Sequence, residues 1–310
     1  MNKLPAFDSD LFLAPLAGYS DVGMRMLSYR YGAAMCFTEM VSAKGMFYGN
    51  ENTSALLHQN PEERGRTAVQ IFGSEPEIIG EVVGRSEFDD FAVIDINMGC
   101  PVPKIVKNGE GSFLMKNPYL VKEIVKSAVK GAKGKPVTVK FRAGFSPDDK
   151  NAPDVAVACE EGGASLVTVH GRTRDAYYSG EVDYDTIRKV KDSVKIPVCG
   201  NGSVVDRESY LKMKEKGGVD YVMVARGAIG RPYIFAEILG NSYEYSIKEA
   251  IRYHISQLDF LPERVVANNM KKHIAYYLKG QPNQKHIKEK CFMCENVKDM
   301  LRIIDIAELK

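Results

Sequence analysis

The feature that most constrains this chain is a rhythm: eight short apolar runs, each followed by a stretch with helical spacing, fill the first 240 of its 310 residues. The runs fall at 11–16, 35–40, 67–72, 92–97, 137–141, 165–169, 196–199 and 221–224. Strands buried on both faces read as continuous apolar segments rather than alternating ones. Between them, Asn117-Pro118 pairs an N-cap with a proline at the first helical position; Val121, Ile124, Val125, Ala128 and Val129 then recur at helical spacing, and Gly131 offers a stop. Asp206 is placed to cap a helix over 207–216 that Gly217 closes. Strands spaced by helices in this way predict βαβ units and a parallel sheet, and eight of them predict an α/β fold of the (β/α)8 TIM-barrel type. An open doubly wound sheet is the competing architecture, but no strand–GxGxxG–helix unit with a following acidic residue is present.

After Gly240 the pattern is helical only. Ser246-x-x-Glu249 reads as a capping box ahead of an apolar stripe of Ile251, Ile255, Leu258 and Leu261. Residues 263–279 and 285–308 read as two further helices, divided by Lys279-Gly280-Gln281-Pro282-Asn283. The expected division is a barrel over 1–242 and an all-helical C-terminal domain over 243–310.

Composition narrows the function classes. The chain is 45% hydrophobic and 26% charged, which supplies a core and argues against disorder. Its opening, MNKLPAFDSD, carries one lysine and no long apolar stretch, and no segment approaches the ~18 apolar residues of a membrane span, so a cytoplasmic monomer with no membrane contact is expected. The six cysteines are scattered, as suits a reducing compartment. Cys291 and Cys294 form the one close pair and lack two matching ligands for zinc; a structural role and no metal are expected. Net charge is +2, unevenly spread: residues 241–310 hold 12 basic against 9 acidic side chains and three of the five histidines. A mildly basic tail is a weak pointer to nucleic acid.

In such a barrel, function gathers at the C-terminal ends of the strands. After the first run come Pro15, Leu16 and Ala17, small enough to let backbone approach a flat ligand, or simply a turn. The third ends with Gln70, an amide in an apolar run that needs either a heterocycle edge or a core hydrogen bond. The fourth leads through Asn97 to Cys100 in a Gly/Pro-shaped loop; an ordinary thiol, pKa ~8.5, stays mostly protonated at neutral pH and can act as a proton donor. The plainer alternative is a buried structural cysteine. Lys140 sits inside the fifth run, where a lysine is rarely buried unless it faces an anion. His170 ends the sixth, ahead of Arg172 and Arg174, which could meet phosphates or a substrate carbonyl, or be solvated. The last two loops, Asn201-Gly202-Ser203 and Ala225-Arg226-Gly227, lie where barrels commonly hold a phosphate.

Six segments, in order and spacing, resemble the tRNA-dihydrouridine synthase family: Ala-Pro-Leu-Ala-Gly-Tyr-Ser-Asp (14–21), Asp-Ile-Asn-Met-Gly-Cys-Pro (95–101), Val-Thr-Val-Lys-Phe-Arg (137–142), Val-His-Gly-Arg-Thr-Arg (169–174), Gly-Asn-Gly (200–202) and Ala-Arg-Gly-Ala-Ile-Gly-Arg-Pro (225–232). The resemblance implies an FMN-dependent oxidoreductase that reduces the C5=C6 bond of tRNA uridines, with NADPH or NADH as electron donor. It implies that Pro15, Leu16 and Ala17 line the flavin; that Gln70, Lys140 and His170 bond its ring and ribityl chain; and that Asn201, Gly202, Ser203, Ala225 and Arg226 hold its phosphate end. Hydride would pass to C6 and a proton from Cys100 to C5, with Asn97, Arg172 and Arg174 at the base. The helical tail would bind tRNA through Lys271, Lys272, His273, Lys279, Lys285, Lys288, Lys290 and Arg302, near Tyr276 and Tyr277. Two departures stand out: Gly-Tyr-Ser-Asp where the family more usually has Gly-Val-Thr-Asp, and Ala225 where it often has glycine. A flavin barrel acting on a free pyrimidine would not need the basic tail, and an inactive RNA-binding barrel would not need Cys100, Lys140 and His170 together.

Overall fold

The computed structural model describes residues 2–309. Its parallel strands are β1 (Leu11–Leu13), β2 (Met35–Phe37), β3 (Val41–Ser42), β4 (Thr67–Phe72), β5 (Val93–Met98), β6 (Val137–Gly144), β7 (Leu166–Thr173), β8 (Val198–Asn201) and β9 (Tyr221–Val224). β2 and β3 are two pieces of one stave, because both pair with β4, at Cys36 with Thr67 and at Val41 with Ile71. β1 pairs with β2 on one side and β9 on the other, so the ring closes as an eight-stave barrel.

The expected strands are present, and their ends differ for physical reasons. The run at 35–40 is interrupted because Thr38 turns its hydroxyl into the ladder, accepting from the Gln70 N–H at 3.0 Å. β6 and β7 continue to Gly144 and Thr173, so Arg142, His170 and Arg172 stand on strands with a fixed facing rather than in loops. Side chains alternate along a strand, and the register stacks the inward ones in layers. A lower plug contains Phe12, Met35, Phe37, Ala68, Val93, Leu166 and Met223. Above it, Gln70, Asp95 and Thr138 are neighbours in register. Higher still, Asn97 lies beside Lys140, and His170 lies between Arg142 and Asn201.

Around the ring run α1 (Val22–Arg30), α2 (Ala43–Phe47), α3 (Pro76–Val82), α4 (Pro103–Lys107), α5 (Pro118–Gly131), α6 (Ala152–Gly162), α7 (Tyr184–Ser193), α8 (Arg207–Gly217) and α9 (Ile234–Leu239). Asn117 caps α5 and Asp206 caps α8, as the sequence predicts. α8 is closed by Gly218, in the left-handed region at φ 64°, rather than by Gly217. Gly131 ends α5, but its size is set by a crossing: a Cβ there would lie 2.0 Å from the Gly80 carbonyl oxygen on α3.

The remaining helices are α10 (Ile247–Ser256), α11 (Glu263–Tyr277), α12 (Gln284–Met293) and α13 (Val297–Ile306). The single helix expected over 285–308 is two, because Cys294 turns extended and Asn296 caps a new start, accepting from the Asp299 N–H at 2.8 Å. Ser246 accepts from the Glu249 N–H at 3.4 Å, which is one half of the expected capping box. These helices enclose a separate apolar core that includes Ile251, Met270 and Ile274 together with Val22, Met26 and Leu27 of α1. Met24, from the same α1, belongs to the barrel's outer core. Among the described residues, no helix is long and apolar enough to cross a membrane.

α1 is also pinned from below. Arg25 meets Glu63 through two bonds of 2.7 and 2.8 Å, with neither side chain more than 2% exposed, and it donates to the carbonyls of Ser20 and His58. Arg25→Met would leave the Glu63 carboxylate buried without its partner, a loss of ~3–5 kcal/mol. Urea unfolding measures it, and a loss below ~1 kcal/mol would show that the pair is not what holds α1 down.

Candidate active site

The upper layer of the barrel opens into a cleft of about 1020 Å³ between the strand ends and α11. Pro15, Leu16, Ala17, Gln70, Asn97, Cys100, Lys140, His170, Arg172, Asn201, Gly202, Ser203, Ala225 and Arg226 all line it. The sequence expectation thus converges on one place. Arg174 does not line the cleft: it pairs with Asp175 at 2.9 Å and lies against Phe145 and Tyr177. Its neighbour two residues back on the alternating strand faces inward, and Arg174 follows β7.

The Cys100 loop is held from three sides. Asn97 Oδ1 accepts from the N–H groups of Gly99 at 3.1 Å and Cys100 at 2.9 Å. Arg142 Nε donates to the Gly99 carbonyl at 2.7 Å, and its Nη1 donates to the carbonyls of Thr173 and Tyr177, tying this loop to the one after β7. Gly111, at φ 60°, lets the following turn press close, since a Cβ there would lie 2.8 Å from the Cys100 carbonyl oxygen. Burial pushes the Cys100 thiol up, opposed by a backbone bond from Val102 and by the charges of Arg142 and Lys140, so it is protonated at neutral pH.

Below it, Gln70 is not free to offer its whole amide to a ligand. Its Nε2 donates to Asp95 at 2.7 Å and its Oε1 accepts from Asn97 Nδ2 at 2.9 Å, leaving one N–H toward the cleft. Asp95 also accepts from Thr138 at 2.5 Å. Burial pushes the Asp95 carboxyl up to about 6, while Gln70, Thr138 and Lys140 pull it back. Sequence reading gave no role to Asp95 or Arg142, nor to Tyr178, whose ring lies beside His170, Arg142 and Arg226. The signal was there, since an aspartate and an arginine in apolar strands each require partners.

Six cations line the cleft: Lys140, Arg142, Arg172, Arg226, Arg231 and Lys279. Arg231 pairs with Glu237 at 2.8 Å; among the described residues, Lys140, Arg142, Arg172 and Arg226 have no carboxylate within ion-pair distance. Burial brings Lys140 down to about 8, with Arg142 adding to the effect and Asp95 opposing it. Burial holds His170 well below its ordinary range, and Lys140 and the three arginines push the same way, so the ring is neutral. Arg172 Nη2 donates to Ser203 Oγ at 2.7 Å and to the Gly180 carbonyl at 2.8 Å, which fixes one wall of the loop after β8. Asn201 Nδ2 donates to the Met223 carbonyl at 2.9 Å, joining that loop to β9. Gly202 stands at φ 134°, and a Cβ there would come within 3.0 Å of Val182 and 3.3 Å of His170; Ser203 takes φ 52°. Gly227 is equally confined, its would-be Cβ 2.5 Å from the Val204 carbonyl oxygen. These two glycines let the loops after β8 and β9 pack tightly against the barrel, and both loops line the cleft beside cations without carboxylate partners, a setting that favours an anionic group.

The helical part supplies the outer wall. Tyr276, Tyr277 and Lys279 line the cleft, and Tyr19 meets Tyr276 edge to face at 5.6 Å. Lys272 lies 5.6 Å from the Tyr19 ring, and Lys271 donates to Asn268. His273 and Tyr277 are buried and do not belong to a solvent-facing basic surface. His273 and His254 instead clasp Asp21, the N-cap of α1, at 3.1 and 2.8 Å, and His254 also bonds Tyr277 at 3.0 Å. Burial pushes Asp21 up, but the two imidazoles hold it well below the usual carboxylate range. This trio gathers three potential ligand atoms within 4.8 Å. Both His254 nitrogens are engaged, by Tyr277 and Asp21, whereas His273 Nε2 lies near Asp21 without a hydrogen bond, so the bonds that join the two parts here are those of His254. Cys291 and Cys294 are buried free thiols, the latter donating to the Lys290 carbonyl.

This chain is similar to proteins of known structure and to curated proteins. The solved structures it matches include a histamine dehydrogenase from Rhizobium sp. 4-9, with TM-score 0.55 and 12% identity over 81% of this chain, which spans 49% of that one. Morphinone reductase matches with TM-score 0.54 and 10% identity over 78% of this chain and 88% of that one. Identities this low show the barrel fold alone. Among curated proteins, tRNA-dihydrouridine synthase B of Shewanella oneidensis is 35% identical over 307 residues, covering 96% of this chain and 94% of that protein. The protein of the same name from Vibrio parahaemolyticus is 36% identical over 282 residues, covering 87% of each. The family model described as "Dihydrouridine synthase (Dus)" matches residues 12–309, and the chain belongs to that family.

Proposed function

We propose that this protein is a tRNA-dihydrouridine synthase that reduces the C5=C6 bond of tRNA uridines in the cytoplasm, with FMN as its cofactor and NADPH or NADH as reductant. The observation that carries the reading is a protonated thiol, Cys100, lining a cleft that also holds cations without carboxylate partners and the glycine-containing loops after β8 and β9. These residues fit a flavin mononucleotide. Asn201, Gly202, Ser203, Ala225 and Arg226 would hold its phosphate end, and Lys140, His170 and the remaining Gln70 N–H its ring edge and ribityl chain, with Pro15, Leu16 and Ala17 against the ring. When bound, the reduced flavin supplies hydride for C6 of the base.

The chain's own part is to fix positions and protons. Cys100 delivers a proton to C5 from a loop that Asn97 and Arg142 hold still. The neutral His170 can bond without adding charge, and Lys140 offsets negative charge at the cofactor. Residues 1–242 would carry the chemistry, and 243–310 would grip tRNA with Lys271, Lys272 and Lys279, supplying the energy to draw a base from its stack.

Three outcomes test this. Cys100→Ala should keep its flavin, read by absorbance, yet form dihydrouridine ~10²–10⁴-fold more slowly; nucleoside mass spectrometry of the tRNA product reads the loss, and normal turnover would refute the acid role. Lys271→Ala with Lys279→Ala should weaken tRNA binding and flatten its salt dependence by ~1 unit of slope per lysine. An unchanged slope removes the tail from the RNA interface. Lys140 sheds its proton as pH rises through about 8, so apo-protein should bind FMN progressively more weakly above that pH, by up to ~10-fold per unit. Flavin fluorescence titration between pH 7 and 9.5 measures it, and Lys140→Met should abolish the dependence.

A further inference from the structure

Asp95 is 0% exposed, two layers below the cleft rim, and touches neither the cleft nor solvent. It nevertheless ends a one-way chain of hydrogen bonds. A carboxylate can only accept, and a backbone N–H can only donate. Between these fixed ends lie two amides, each able to sit either way round. Asp95 takes the Gln70 Nε2 hydrogen at 2.7 Å, which turns Gln70 Oε1 toward Asn97. Gln70 Oε1 takes the Asn97 Nδ2 hydrogen at 2.9 Å, which turns Asn97 Oδ1 toward the Gly99 and Cys100 amides at 3.1 and 2.9 Å. Reversing either amide would set donor against donor at one end and acceptor against acceptor at the other.

We infer that Asp95 is a positioning residue for Cys100: it sets the orientation of both amides and so fixes the loop that carries the thiol. This deepens the proposed function, because the acid must meet C5 in one geometry, and a misplacement of about 1 Å costs ~10²-fold. Thr138 makes the inference separable from simple packing. Its hydroxyl donates to Asp95 at 2.5 Å but can equally accept. An asparagine at 95 can therefore give its N–H₂ to Thr138 and keep its oxygen on Gln70, preserving the direction. With valine at 138 that anchor is gone; when the asparagine turns its N–H₂ on Gln70, the two ends of the chain both donate into it, and one link between Gln70 and the Gly99 and Cys100 amides must break.

The test compares Asp95→Asn, Thr138→Val, the double variant of the two, and Asp95→Leu, all as flavin-loaded protein. Two readouts are taken: amide hydrogen exchange at residues 99–100, and the separate rates of flavin reduction by NADPH and of flavin reoxidation by tRNA. Both single conservative variants should match wild type within about threefold. The double variant and Asp95→Leu should lose exchange protection at 99–100 and slow reoxidation by ~10–100-fold, well beyond any change in flavin reduction, which the Gln70 contact alone would alter. If Asp95→Leu does not fold, the double variant, close in volume to wild type, carries the test alone. Wild-type exchange in the double variant, or equal loss in Asp95→Asn and the double variant, overturns the inference. Exchange that changes as expected in a protein whose flavin tRNA never reoxidises, wild type included, upholds the loop-setting role and overturns the proposed function instead.

Discussion

The pairing of β2 with β4 is the contact on which the rest depends. Without it the sheet would be an open ribbon with two long edges and no common interior. Cys36 opposite Thr67 and Phe37 opposite Ala68 close the ring, and closure forces the inward side chains of every stave to point at one axis. Residues from the two ends of the ribbon, such as Leu16 after β1 and Gln70 on β4, then line a single cleft. Closure also removes the unpaired edges that would template aggregation.

A closed ring has room for only a few side chains per layer, and this one sorts them by polarity. The lower plug is hydrocarbon and carries the burial energy. The middle layer is polar and cross-linked, with Gln70 and Thr138 both donating to Asp95. Only the top layer keeps unspent charge. That gradient explains why Lys140 and Arg142 can stand in a barrel without carboxylate partners. Arg142 gives its donors to the carbonyls of Gly99, Thr173 and Tyr177, and the desolvation of Lys140 is offset by the favourable packing beneath it.

Much of this was legible in the sequence. Eight apolar runs, the caps at Asn117 and Asp206, and the cluster at strand ends all follow from periodicity and turn chemistry, which are local. What escaped was settled by contacts between distant segments. Thr38 breaks its stave because Gln70, thirty-odd residues on, claims its hydroxyl. Gly131 reads as a helix stop, yet its smallness serves a crossing with α3. His273 and Tyr277 read as part of a basic face, but they lie on the buried side of α11, His273 beside Asp21 and Tyr277 bonded to His254. Arg172 and Arg174 look equivalent in sequence. One sits inside the strand and braces Ser203; the other lies just beyond it and pairs locally.

α1 gives one apolar face to the barrel and another to the C-terminal helices, with Asp21 clasped at its start and Arg25 locked at its middle. A helix so committed cannot serve as a hinge. The two sides of the cleft are therefore set at a fixed spacing, like the jaws of a gauge rather than those of a clamp. In the proposed reading, whatever enters must be shaped to that gap, and the work of deformation falls on the RNA.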